Sequence, residues 1–134
     1  MKSLHLVPGA LVLLLICGCA GLKSRPVNSI AITSIEPAPP ANLKFGERML
    51  VHIHYTNTNS DPVIIFARPY AHGERTDDDY SNPSYNFNQG SGDTVGWFYF
   101  RSAARVDEVR VSMLTAKTKS LVTSTSRRIS AAWK

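Results

Sequence analysis

The chain has 134 residues, with 15 Lys or Arg against 10 Asp or Glu, for a formal net charge of +5 with neutral histidines. Its 2 cysteines, Cys17 and Cys19, lie one residue apart near the start, so no disulfide joins distant parts of the sequence. Acidic and basic residues are mixed along the chain, which excludes the clustered basic stripe of a nucleic-acid footprint.

The first segment opens with Lys2 and continues into the apolar run Leu11-Val12-Leu13-Leu14-Leu15-Ile16. Small residues Gly18, Ala20 and Gly21 follow. A charged start, a short apolar core and a small-residue exit form the pattern of a secretory signal peptide. The run is too short for a spanning helix, which needs about 20 apolar residues. Residues 1–18 are therefore expected to be removed, leaving about 116, enough for one domain with its own core.

The exit Ile16-Cys17-Gly18-Cys19 resembles the lipobox of bacterial lipoproteins. That box places an aliphatic residue three positions before the modified cysteine and a small residue directly before it. Gly18 makes Cys19 the modified residue, whereas bulky Ile16 makes Cys17 a poor rival. The resemblance implies a mature chain that starts at Cys19, with a diacylglycerol thioether and an acylated amine. Two or three such chains anchor stably where one does not. The covalent lipid is the only prosthetic group expected. Ala20, where an aspartate would favour inner-membrane retention, points to the outer membrane and a periplasm-facing domain. The competing reading is an ordinary cleaved signal or a membrane-retained N-terminus.

Residues 19–27 read as a lipidated tether, short enough that Gly21 to Val27 spans at most about 25 Å. Lys23 and Arg25 lie beside the anchor. Residues 28–134 then read as strands separated by turn chemistry. Ser29 to Ile35 alternates imperfectly, and Pro37, Pro39 and Pro40 forbid ladder pairing. Lys44 to Arg48 is a turn. Met49, Val51, Ile53 and Tyr55 recur at period two against His52, His54 and Thr56, the signature of a half-buried strand.

Asn57 to Pro62 is a turn by composition. Val63 to Ala67 and Val95 to Phe100 are apolar at successive positions, as in strands buried on both faces. A polar stretch from His72 to Asp93 separates them. Val109, Val111 and Met113 alternate with Glu108, Arg110 and Ser112, and Ala116 to Ser120 is a turn. If Leu121 and Ile129 share a face, Arg127 lies on it too. The segment Leu121 to Trp133 is thus expected to be an edge strand, or to carry a bulge near Ser126.

This pattern predicts an all-β domain, an antiparallel β-sandwich of about seven strands, with a small closed barrel as the competing architecture. Leu43-Lys44-Phe45-Gly46-Glu47 followed by Val51, Ile53 and Tyr55 looks like the opening of immunoglobulin-like bacterial envelope domains. The run Val63 to Pro69, the turn Gly90-Ser91-Gly92 and the segment Val106 to Arg110 carry the same likeness. It implies an immunoglobulin-like fold without the inter-sheet disulfide and no assigned chemistry.

Several residue groups are candidates for function. His52 and His54 share one strand face and hold two positions of a metal site, provided that His72 or Asp77 to Asp79 completes it. Asp77-Asp78-Asp79 lacks the spacing and glycine of a calcium loop and reads as solvated. Tyr80, Tyr85 and Phe87 lie among amides in the long polar stretch, a composition suited to glycan or peptide recognition. The opposing expectation is that these aromatics cap the core while Tyr85 to Asn88 adds a strand. Gly90-Ser91-Gly92-Asp93 lacks the nucleophile-elbow pattern, and no nucleophile with a base and an orienting group stands out. The expected role is a non-catalytic binding or scaffolding module of the envelope, with a protein or glycan partner. A small-ligand module, for a glycan on the 70–93 loop or a metal at His52 and His54, is the alternative.

Overall fold

A computed structural model describes Gly21, residues 25–83 and residues 85–134. Both cysteines, and with them the lipobox and signal segment, lie outside the described residues. The strands are β1 (Ser29–Glu36), β2 (Ala41–Leu43), β3 (Met49–Asn57), β4 (Val63–Ala71), β5 (Glu74–Arg75), β6 (Tyr80–Ser81), β7 (Asn86–Phe87), β8 (Gly90–Tyr99), β9 (Ala104–Thr115) and β10 (Leu121–Trp133). No helix occurs among the described residues.

One sheet has the order β1-β3-β8-β6 and the other β2-β10-β9-β4-β5, with β7 also paired to β4. All pairs are antiparallel except β2 with the end of β10. This is the immunoglobulin arrangement, in which the first, second, fifth and fourth strands of the fold face the third, sixth and seventh. The expected sandwich is therefore the architecture; with β6 as the fourth strand of the fold, the three additional pieces are β2 and the two-residue strands β5 and β7 of the polar stretch. The chain changes sheets between β1 and β2 at Pro37 to Pro40, where prolines without N–H groups interrupt pairing.

Alternation decides what each strand buries. Met49, Val51 and Ile53 of β3 point inward against Val106, Val109, Val111 and Met113 of β9 and Val63, Ile65 and Ala67 of β4. Phe98, Phe100 and Trp133 close one end, the Phe100 and Trp133 rings lying 4.8 Å apart at 62°. The Trp133 indole N–H donates to Glu47 O at 2.9 Å, so its one polar atom is satisfied. Apolar packing holds the sheets together where antibody domains add a disulfide.

Two positions, a buried amide and a glycine, explain the turns. Asn57 is buried; its amide donates to Asp61 O (3.2 Å) and Phe87 O (3.3 Å), and its oxygen accepts from Asn59 N (2.9 Å). One side chain thus closes the 57–62 turn and ties β7 to it. At the other end Gly46, with φ 82°, makes the turn into β3, and its N–H donates to Phe100 O at 2.7 Å.

The expectation for β10 is met in part. Its register slips between Leu121 and Thr123 and again between Arg128 and Ala131, beyond Ser126. Arg127 lies opposite buried Val109, on the inward side. It reaches across the sandwich edge and donates to Ile32 O on β1. After the second slip Ala131 and Trp133 return to the core. β10 is an edge only in part, because β2 covers its last three residues.

Candidate binding face

The strand β8 carries the main correction to the sequence reading. Gly96, Phe98 and Phe100 are buried, but Val95 is 42% exposed and Trp97 and Tyr99 are half-buried on the outer face. The apolar run does not mark burial on both sides. It marks an aromatic stack on the solvent face of the sheet. The stretch Gly90-Ser91-Gly92 is likewise not a turn: it begins β8 and pairs with Asn57, Thr56 and Tyr55. Gly92 leaves room for the Tyr55 ring over the strand: a Cβ there would stand 2.9 Å from the Tyr55 hydroxyl.

The stack is built from two strands and two loops. Trp97 and Tyr99 follow each other along β8, with centroids 6.0 Å apart and planes at 20°. Tyr80 of β6 pairs with Tyr99 in register and stacks on it at 5.1 Å and 11°. Arg48, just before β3, lays its guanidinium 4.0 Å from the Trp97 centroid. Arg101, just after β8, lies 4.7 Å from Tyr80 and 6.0 Å from Tyr99. The Gly46–Phe100 hydrogen bond fixes the two arginine-bearing loops to each other.

Neither arginine has a carboxylate partner within 4 Å among the described residues. A guanidinium that rests its face on a ring keeps its edge N–H groups for a carboxylate, a phosphate or a carbonyl. The other sheet also carries arginines on rings, Arg68 at 4.4 Å from Phe66 and Arg110 at 3.9 Å from Tyr70. Those two are engaged at home. Arg110 pairs with Glu108, which raises its pKa, and Arg68 donates to Ala67 O at 3.2 Å. Burial, with Arg75 nearby, holds Arg68 below the usual guanidinium range.

His52 and His54 do share the outer face of β3, as the alternation predicted. Each ring turns to a carboxylate on a different neighbouring strand. His54 Nδ1 is 2.7 Å from Asp93 Oδ1 on β8. His52 Nε2 is 3.5 Å from Glu36 Oε2 on β1, an ion-pair distance without hydrogen-bond geometry. His72 is in the tight turn after β4, and its N–H donates to Asp107 at 2.9 Å. Among the described residues no group of three His, Cys, Asp or Glu is arranged to hold a metal ion.

The aromatics of the polar stretch are divided between the sheets. Tyr80 is 47% exposed and belongs to the stack just described. Phe87 pairs with Val63 through β7 and packs its ring 5.0 Å from Tyr55, against the core. Tyr85 stands exposed between them. β6 and β7 therefore belong to opposite sheets, and buried Asn82, just after β6, accepts from Trp97 N at 3.1 Å. Asp77, Asp78 and Asp79 line a surface cavity of about 390 Å³ with Tyr80, Arg101 and Ser102. Thr76 donates to Asp79 at 3.1 Å.

Sequence reasoning missed Trp97, Tyr99, Arg48 and Arg101 as a group. A usable signal was the aromatic run of β8 followed by Arg101, with a second arginine, Arg48, directly before β3. No protein-family model matches this chain, and no curated protein matches it either.

Proposed function

We propose that the protein is a lipid-anchored envelope lipoprotein whose sandwich is a non-catalytic binding module, and that its contact surface is the outer face of the β1-β3-β8-β6 sheet. The observation that carries the reading is the stack of Trp97, Tyr99 and Tyr80 held between two arginines without carboxylate partners. Trp, Tyr and Arg are the residues that dominate binding energy at protein interfaces. A protein partner fits this face better than a glycan. Arg48 and Arg101 already cover ring faces of Trp97 and Tyr80, and a sugar would need those faces free.

Anchoring rests on the lipobox Ile16-Cys17-Gly18-Cys19. By that reading Cys17 leaves with the signal peptide, Cys19 carries the lipid, and the chain lives at the outer membrane. The topology supports a division of labour. Tether and stack lie toward opposite ends of the sandwich, since β1 enters beside Thr56 whereas the stack begins beside Leu50 and Met49. The test is purification of the acylated chain from solubilised membranes, as wild type and as Arg48→Ala/Trp97→Ala. A specific envelope protein recovered with wild type and lost with the variant supports the reading. Identical recovery with both overturns it.

A further inference from the structure

At the end of the sandwich where the chain enters, we infer a second surface, one that docks the domain onto anionic phospholipid headgroups. The inference rests on the lipid anchor at Cys19. Three segments meet at this end. Asn28 accepts from Thr58 N (2.8 Å) and Thr58 Oγ1 (3.0 Å), which pins the entry point to the 57–62 turn. Ala116 N donates to Pro62 O at 3.0 Å, which pins the β9–β10 hairpin tip to the same turn. The hairpin tip is itself closed by Thr115 N to Ser120 O at 2.9 Å and Lys119 N to Thr115 O at 2.9 Å.

What this end presents is cationic and apolar. Arg25, Lys117 and Lys119 are exposed; of the acids, Asp61 lies beside the two lysines, and Asp93, set back along β8, is paired with His54. Val27 is 72% exposed and Leu121 64%. They stand at similar height on adjacent edges, because the Arg127–Ile32 bond aligns β10 with β1. Exposed apolar side chains beside a lysine-bearing, hydrogen-bonded hairpin tip suit a headgroup layer, where cations gain and Leu and Val insert shallowly.

Chain length makes this occupant available. From Cys19 to Asn28 the chain spans at most about 30 Å, so an acylated Cys19 keeps this end within reach of the bilayer. The aromatic stack begins at the far end of β3, about 30 Å away for nine residues of strand. Docking would then orient the domain and aim the stack away from the lipid.

The experiment uses the full chain, processed in cells and reconstituted into vesicles of phosphatidylethanolamine with phosphatidylglycerol, or of phosphatidylcholine alone. Because Cys17 is removed and Cys19 is blocked by lipid, one introduced cysteine is the only free thiol. A fluorophore is placed at Ser60→Cys beside the entry point, or at Ser102→Cys at the far end. Headgroup-spin-labelled lipid serves as the quencher. Docking predicts strong quenching at position 60 on the anionic vesicles, little at position 102, and weak quenching at both on phosphatidylcholine. Lys117→Gln/Lys119→Gln should lower the docked-to-undocked ratio roughly thirtyfold, about fivefold per lysine. Equal quenching at the two positions, or none at either while the protein stays on the vesicles, overturns docking alone. Labelling of the chain without an introduced cysteine, together with its loss from the vesicles, overturns the anchor as well.

Discussion

Gly96 on β8 faces Ala67 on β4 so closely that a Cβ on the glycine would stand 2.7 Å from the Ala67 Cβ. The two sheets touch through this pair, next to Asn82, whose oxygen would lie 3.4 Å from the same added atom. Gly96→Ala is expected to destabilise the domain by about 1–3 kcal/mol, the usual range for overpacking a filled core. Adding Ala67→Gly should recover part of that loss. Urea unfolding of the single and double variants checks it: an uncoupled double variant would contradict the contact.

Asn57→Leu keeps the number and branching of side-chain heavy atoms but removes both donors and the acceptor of the turn. Loss of these bonds leaves the Asp61 and Phe87 carbonyls and the Asn59 N–H seeking partners. Each buried unsatisfied group costs about 1–3 kcal/mol. The expected result is a lowered unfolding midpoint and faster hydrogen exchange at residues 86–90, read by NMR or mass spectrometry.

The two tryptophans should behave oppositely. Trp133 is 1% exposed, while Trp97 lies on the outer face. In Trp133→Phe the remaining indole should be readily quenched by iodide, and in Trp97→Phe it should be nearly protected. Trp133→Ala is expected to cost about 3–5 kcal/mol. Trp97→Ala should cost far less, since a half-buried ring leaves no enclosed cavity.

Arg48→Ala and Arg101→Ala test whether the arginines serve the fold or the face. Exposed cation–π contacts contribute about 0.5–1 kcal/mol. Thermal unfolding should therefore shift only slightly for either variant, while recovery of the envelope partner falls. A large loss of stability would assign these residues to the fold instead.

Much of the sandwich was legible because period two is a strong signal wherever one face is wet. Met49, Val51 and Ile53 against His52 and His54, and Val109, Val111 and Met113 against Arg110 and Ser112, all fall as their alternation required. The inward Arg127 could be foreseen, but its partner could not, since Ile32 O lies 95 residues away in sequence. Trp97 and Tyr99 defeated the reading for a related reason. Hydropathy cannot separate a core aromatic from one kept at the surface by arginines from the loops before β3 and after β8. Gly90 to Gly92 misled because glycine marks turns more often than it marks a Tyr ring crossing a strand. The division of Tyr80 and Phe87 between two sheets depends on pairing partners, Tyr99 and Val63, that local composition does not name.

The most direct measurement places a photo-crosslinking amino acid at Val95, on the face beside Trp97, in intact cells. A control position is Ser112, on the outer side of β9 in the other sheet. Position 95 is expected to give a discrete crosslinked envelope protein, absent from position 112 and lost when Arg48→Ala is added. Crosslinks from position 112 alone, or equal crosslinks from both, would contradict the assignment of the β1-β3-β8-β6 face as the contact surface.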